Sequence, residues 1–367
     1  MLTALGGFFK RHRRKLIFTG AVIGGVLVLA RVARRKLLEL QEREADAYIT
    51  HARRVHHFES NQRTCNMTVL SMLPTLRDNI TKQLDCESLT AALRARPANK
   101  LEIWEDLKIL SFARSVVAVY GACMLVVMLR VQLNVVGGYI YLDNAISSTQ
   151  GPEAIRVPME VQQRYLSSIQ YLLGDGLSEL TTEVKHAVQS VVGSVSLRQS
   201  VTLRELDGMI SCVRTLVEGD GRQELSGFGK FMLAPEDDVL DGQVCGSREE
   251  ELTAQKMLSE TRDMMDSMDF WTVLRACLDR GFLRLIDGAA ESFRQDQITG
   301  SGGRNMMGIS AEWLPLAKVI PILDGQSHVV CSDAPNHFVQ ELLTMETVRN
   351  FAANVYEAFS TPEQLGK

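Results

Sequence analysis

The sequence lacks the recognisable patterns from which catalytic and metal centres are usually built. Its seven cysteines are scattered, no CxxC pair occurs, and no Cys/His group has zinc-site spacing. A GxSxG elbow, a Walker loop and an HExxH motif are also missing. The adjacent His56 and His57 would point about 100° apart on a helix, which suits a shared metal ion poorly. We therefore expect no enzyme activity, no cofactor, no metal and no small-molecule substrate.

Aromatic residues make up only 6% of the chain, there are nine prolines, and strand-like alternation is rare. Long stretches rich in Leu, Ala, Glu and Gln instead predict an all-α fold, a single large bundle of long helices. The one β-like fragment is 138–142, and flexible loops are expected near 219–248 and 299–308. Helical patterns cover 76–95, 100–133, 158–173, 177–197, 202–218, 249–265, 270–294 and 335–359, the last with Ser332 and Asp333 as candidate caps.

Acidic residues are absent from positions 1–36, which carry nine Lys or Arg residues. The remainder has 31 basic and 44 acidic residues, a formal charge of −13. A body this acidic is a poor binder of nucleic acid, because neutralising phosphates requires a basic face. The scattered cysteines are typical of reduced, mostly buried thiols in a body that faces the cytosol.

The basic first segment frames an uncharged run. Residues 16–30 carry no charge, and if Arg31 snorkels, the apolar stretch extends over 16–33. These 18 residues span about 27 Å as a helix, close to a bilayer core of roughly 30 Å. A cleaved signal, a transit peptide and a buried helix are the alternatives, but the basic residues on both sides favour a transmembrane anchor.

After the anchor the helix is expected to continue without interruption until Pro74, which should kink or end it. Apolar residues recur at three- and four-residue spacing along this segment, at Leu38, Ala45, Tyr48, Ile49, Ala52 and Val55. A second uncharged run, 115–129, permits two interpretations, a second membrane span or the central helix of the bundle. The amphipathic pattern that follows Arg130 favours the central helix.

The segment 99–108 follows Pro97 and begins a helix. Lys100, Trp104, Leu107 and Lys108 fall on one face of it. An apolar patch framed by lysines would accept an amphipathic partner helix, with the tryptophan as anchor. Periodicity alone favours the alternative, in which Trp104 is a core aromatic covered by lysine stems.

The chain resembles the peroxin-3 family of peroxisomal membrane proteins over essentially its whole length. Four long stretches carry the resemblance, and they are far more specific than a short motif: HFESNQRTCNMT at 57–68, NKLEIWEDLK at 99–108, GGYIYLDN at 137–144 and FAANVYEAF at 351–359.

This resemblance implies a single-pass peroxisomal membrane protein with a cytosolic body at 34–367. The body would dock peroxin nineteen, the soluble farnesylated receptor for peroxisomal membrane proteins, whose N-terminal segment forms a helix in an apical groove. Arg94 stands where the family has lysine. The implied groove residues are Leu93, Lys100, Trp104, Leu107, Lys108 and Ile140.

The resemblance also implies that residues 1–15 form a targeting head on the matrix side of the membrane. Five basic residues precede the apolar run and four follow it, so charge alone does not orient the anchor. Whether insertion passes through the endoplasmic reticulum stays open. The alternative function is a signal-anchored tether of the mitochondrial outer membrane. The basic residues of the head are Lys10, Arg11, Arg13, Arg14 and Lys15.

Overall fold

The computed structural model describes the backbone of residues 2–150, 157–219, 225–235, 248–300 and 313–361. Within these ranges it describes all side chains except those of residues 2–30, 146–150, 225–226 and 295–300. Two compact units are distinguished, Met1–His57 and Phe58–Lys367.

The N-terminal unit consists of the first part of α1 (Leu2–Gln83). Its described side chains, 31–57, are exposed except for the partly buried Arg54 and His57. The predicted uninterrupted helix is confirmed as far as Pro74. Of the two outcomes predicted at Pro74, a kink or an end, the end is wrong, because α1 continues to Gln83. In the second unit α1 buries one apolar stripe on both sides of the proline, at Cys65, Val69, Leu73, Leu76 and Ile80. Burial of this stripe outweighs the roughly 3 kcal/mol that an internal proline costs a helix.

The second unit is an all-helical body, as predicted. Its helices are α2 (Cys86–Arg94), α3 (Lys100–Gln150), α4 (Met159–Ser167), α5 (Ile169–Leu173), α6 (Asp175–Val192), α7 (Leu203–Glu218), α8 (Gly229–Met232), α9 (Arg248–Met265), α10 (Met268–Gly300), α11 (Leu316–Val330), α12 (His337–Thr344) and α13 (Glu346–Ser360). A 3₁₀ turn covers Leu225–Phe228. Two three-residue strands, β1 (Ser200–Thr202) and β2 (Trp313–Pro315), pair antiparallel with Val201 opposite Leu314.

The centre of the body is α3, against which α6, α10, α11 and α13 pack. Every side chain from residue 111 to residue 138 is buried. The apolar run 115–129 is therefore core. Among the residues searched for membrane spans, α3 is long and apolar enough to cross a bilayer, but its apolar window lies wholly inside the body. The β-like assignment of 138–142 is wrong, because these residues continue α3.

Helix ends follow local capping chemistry. Thr202 and Glu205 form a capping box at the start of α7, and the Asp85 carboxylate accepts the Ser88 N–H at 2.9 Å to begin α2. The cap of α12 is Asn336, which accepts the Val339 N–H at 2.9 Å, rather than Ser332 or Asp333. The predicted helix 335–359 is divided at Met345 into α12 and α13, and α11 was not predicted at all.

The two predicted loops are only partly described. In the first, 225–232 forms two short helical turns with Phe228, Phe231 and Met232 buried, so a loop across this part is wrong. In the second, α10 extends to Gly300, and residues 301–308 lie outside the described residues, as do 220–224 and 236–247.

The cysteine prediction is confirmed for the described residues: six thiols are free, and all of them except Cys212 are buried. Burial raises the pKa of Cys65 and of Cys86 to about 11, so both stay protonated near neutral pH. Cys245 lies outside the described residues.

Close packing of α3 against α13 makes Gly138 sensitive to substitution. A Cβ at this position would lie 2.6 Å from the Cβ of Phe359 and 2.8 Å from its carbonyl carbon. We expect Gly138→Ala to lower the free energy of unfolding by about 1–3 kcal/mol through overpacking. Gly208→Ala in α7 is the control, since nothing lies within 4 Å of its added Cβ. Urea unfolding of both variants checks this, and equal midpoints would contradict it.

Candidate functional site

A small hydrophobic cluster separate from the main core lies where α2 meets the start of α3. We call it the α2–α3 cluster. Its members come from four segments: α2, the first turns of α3, the chain after α6, and α11. The buried members are Cys86, Leu107, Leu197 and Ile320, and the partly buried ones are Leu89, Leu93, Trp104, Leu110 and Ala317.

Three of the predicted site residues, Leu93, Trp104 and Leu107, belong to this cluster. Trp104 and Leu93 are partly exposed, whereas Leu107 is only 6% exposed and forms part of the floor. Trp104 is therefore not sealed in the core. Leu101 lies one turn before Trp104 on α3 and is 69% exposed, which extends the apolar surface.

Charged residues of both signs lie beside the cluster. Arg94, Arg96 and Lys100 are exposed at the end of α2, in the turn and at the start of α3. Glu102 and Asp106 are exposed too, but their spacing along α3 places them on the opposite face from Lys100 and Trp104. Exposed cations therefore lie near the apolar surface, and so do the Glu87 and Glu105 carboxylates, whose side chains are 52% and 41% exposed.

Lys108 does not border the surface as predicted. Its side chain is fully buried, and Nζ donates to the carbonyls of Gly193 at 3.1 Å and Val195 at 2.8 Å. It also forms an ion pair of 2.6 Å with Glu105. Both carbonyls follow the end of α6, where unpaired carbonyls attract a cation. Lys108 thus holds the chain that carries Leu197 instead of presenting a charge to a partner.

Ile140 does not belong to the cluster either. It lies 36 residues after Trp104 on the same helix, which is about 54 Å along α3. There it packs against the main core. The two residues therefore cannot contact the same short partner helix.

Several residues of the cluster and of the apolar surface beside it were missed from the sequence. Leu89 repeats at helical spacing with Cys86 and Leu93, and Leu101 lies one turn before Trp104, so periodicity could have found both. Leu197, Ala317 and Ile320 come from distant parts of the chain and carry no local signal.

The remaining sequence candidates give no competing site in the described residues. The helical His56 and His57 are adjacent, and both burial and the neighbouring His56 lower the pKa of His57. Across the described ranges, no group of three His, Cys, Asp or Glu side chains is placed to hold a metal ion. The five basic residues of the head, 10–15, lie outside the described side chains.

The fold and site define an all-helical protein with a partly exposed apolar cluster around Trp104. Comparison with known sequences gives the family. The Peroxin-3 family profile matches residues 7–100 and 94–358. The chain belongs to the Peroxin-3 family.

Individual relatives match the chain over all or nearly all of its length. Peroxisomal biogenesis factor 3 of Homo sapiens is 57% identical over 376 residues, and that of Rattus norvegicus 56% over 373, with both chains fully covered in each case. Peroxisome biogenesis protein 3-2 of Arabidopsis thaliana is 26% identical over 369 residues, covering 95% of this chain and 97% of that protein. The chain therefore has a role in peroxisome biogenesis, which favours the peroxisomal over the mitochondrial interpretation. The family is not a known enzyme family.

The two lysines of the predicted site should behave differently on substitution. Lys108→Met removes a charged donor from two carbonyls, so we expect a loss of about 1–3 kcal/mol in the free energy of unfolding. The exposed Lys100→Met should change it by less than about 0.5 kcal/mol. Urea denaturation of the full chain measures both. An unchanged free energy of unfolding in Lys108→Met would show that the buried ammonium does not stabilise the fold.

Proposed function

We propose that the chain is a docking factor of the peroxisomal membrane. It captures peroxin nineteen, the soluble receptor that carries peroxisomal membrane proteins, by binding an N-terminal helix of that receptor on the α2–α3 cluster. Release of the cargo next to the bilayer then serves membrane protein insertion and peroxisome biogenesis.

The partly exposed Trp104 is the observation that carries this proposal. Tryptophan at the centre of an apolar surface is the commonest type of binding hot spot, and Leu93 and Leu101 give it apolar neighbours. An amphipathic helix places side chains at three- and four-residue intervals, which suits a short apolar surface between two helices. Family membership supports the same partner.

Electrostatic attraction would assist the approach of the partner. Arg94, Arg96 and Lys100 are exposed beside the cluster, so a helix with acidic flanking residues would be attracted during approach. Such rim charges mainly raise the association rate. Lys108 plays no part in this attraction, because it is buried.

The membrane topology is a second part of the proposal. Residues 16–33 cross the bilayer once, residues 1–15 lie on the matrix side and the body from residue 34 faces the cytosol. The apolar run and the helical backbone of α1 across it support this arrangement.

Trp104→Ala in the full chain should weaken binding of a receptor N-terminal peptide by about 2 kcal/mol, roughly 30-fold in the dissociation constant. The loss follows from removing the indole that fills the centre of the surface. Isothermal titration calorimetry on nanodisc-embedded protein measures it.

Trp313→Ala is the matched control, since Trp313 is 62% exposed on β2 and is not a member of the cluster. Circular dichroism should show the same helicity in both variants. Equal peptide affinities for Trp104→Ala and the unmodified chain would remove the cluster from the docking site.

A fluorescent fusion of residues 1–45 should locate to peroxisomes and resist alkaline extraction from membranes. Replacing Lys10, Arg11, Arg13, Arg14 and Lys15 by glutamine in the same fusion should abolish peroxisomal targeting, because the apolar run alone contains no targeting signal. A mitochondrial location for the unmodified fusion would contradict the proposed anchor.

A further inference from the structure

The α2–α3 cluster depends on a helix that is weak by itself. Helix α2 has nine residues, and Cys86 is the only one that is fully buried. Helices shorter than about 12–15 residues are marginal in isolation. Leu89 and Leu93 are only partly buried, so apolar packing by itself holds α2 only weakly against the body.

A buried guanidinium ties α2 to its neighbours. Arg114 of α3 is 1% exposed, and its Nη2 donates to the Glu87 carboxylate of α2 at 2.8 Å. The same nitrogen donates to Thr81 Oγ1 of α1 at 2.9 Å, and Nη1 donates to Asp324 Oδ1 of α11 at 3.1 Å. One side chain thus joins three helices to α3.

The charge on Arg114 is maintained. Burial by itself lowers its pKa, but the hydrogen bond to Glu87 and the charges of Asp324 and Glu87 raise the pKa above its ordinary value. Removing one partner of a buried cation strongly destabilises the folded protein. The native structure therefore keeps the Glu87 and Asp324 carboxylates next to Arg114. Lysine would not replace it, because a single ammonium lacks the planar fork that reaches several acceptors.

Three of the helices joined at Arg114, namely α2, α3 and α11, contribute residues to the cluster. Leu89 and Leu93 come from α2, Ala317 and Ile320 from α11, and Trp104 from α3 itself. We propose that Arg114, acting through Glu87, is the positioning residue of the docking surface: it holds α2 so that Leu93 stays beside Trp104. This inference rests on the proposed docking function.

A positioning role predicts a particular kinetic change. If α2 is released, only a fraction of the molecules presents the complete surface, and the apparent affinity falls by that fraction. The association rate falls with it, while the dissociation rate of the complex, in which the partner holds α2, changes little. Loss of a contact residue such as Trp104 acts mainly on the dissociation rate instead.

Glu87→Gln tests this with a mild substitution, because the Glu87 side chain is 52% exposed. In the full chain in nanodiscs, we expect the association rate for a receptor N-terminal peptide to fall by about fivefold, with a dissociation rate within about twofold of the original. Hydrogen exchange in α2 should accelerate by about tenfold, while exchange in α9 stays unchanged. Stopped-flow fluorescence and hydrogen-exchange mass spectrometry measure these rates.

Three further variants complete the design. Glu341→Gln removes a carboxylate from another surface ion-pair group, with Arg280 and Arg284, and should leave α2 exchange and association unchanged. Arg114→Lys should act in the same direction as Glu87→Gln. Adding Glu87→Gln to Arg114→Lys should give little further change if both act through one contact.

The outcomes separate this inference from the docking proposal. Unchanged exchange of α2 in Glu87→Gln overturns the positioning role, whatever the peptide does. Faster exchange with an unchanged association rate overturns it as well. If the unmodified chain binds no receptor peptide, the docking function fails, and the positioning role for that surface falls with it even where α2 exchange responds.

Discussion

Every side chain of α3 from residue 111 to residue 138 is buried, so this helix needs partners on all sides. The apolar faces of α6, α10, α11 and α13 supply them. Burying apolar surface at about 25 cal/mol per Å² is the main favourable contribution to such packing. The helices of the body are therefore arranged around one central element, and the position of the candidate site follows from where that element reaches the surface.

Polar side chains on α3 decide how the neighbouring helices are aligned. Lys108 binds carbonyls after α6, and Arg114 binds carboxylates of α2 and α11. Arg130, also buried, donates to the side-chain oxygens of Gln62 and, at 2.7 Å, Asn66 of α1. Each cation must meet its partners because an unpaired buried charge is costly. The contacts of Lys108 and Arg114 hold neighbours in place in the first part of α3, where Trp104 remains partly exposed.

The candidate site was only partly predictable. Helical spacing and the family resemblance together placed Leu93, Trp104 and Leu107 correctly in one cluster, since spacing identifies which residues share a helix face. Lys108 was assigned to the rim because spacing does not tell whether a face is covered by a distant segment. Ile140 was carried over from the resemblance, although the unbroken length of α3 puts it far from Trp104.

The sequence by itself determined the helical class, the long central apolar helix and the burial of most of the described cysteines. These properties depend on composition and on periodicity within one segment, whereas the family depends on the four long stretches of resemblance. Tertiary structure decided that α1 passes through Pro74, that 138–142 is helical and that α11 completes the cluster. It also decided that Lys108 is internal. In each of these cases packing between segments distant in sequence outweighs a local preference of at most a few kcal/mol.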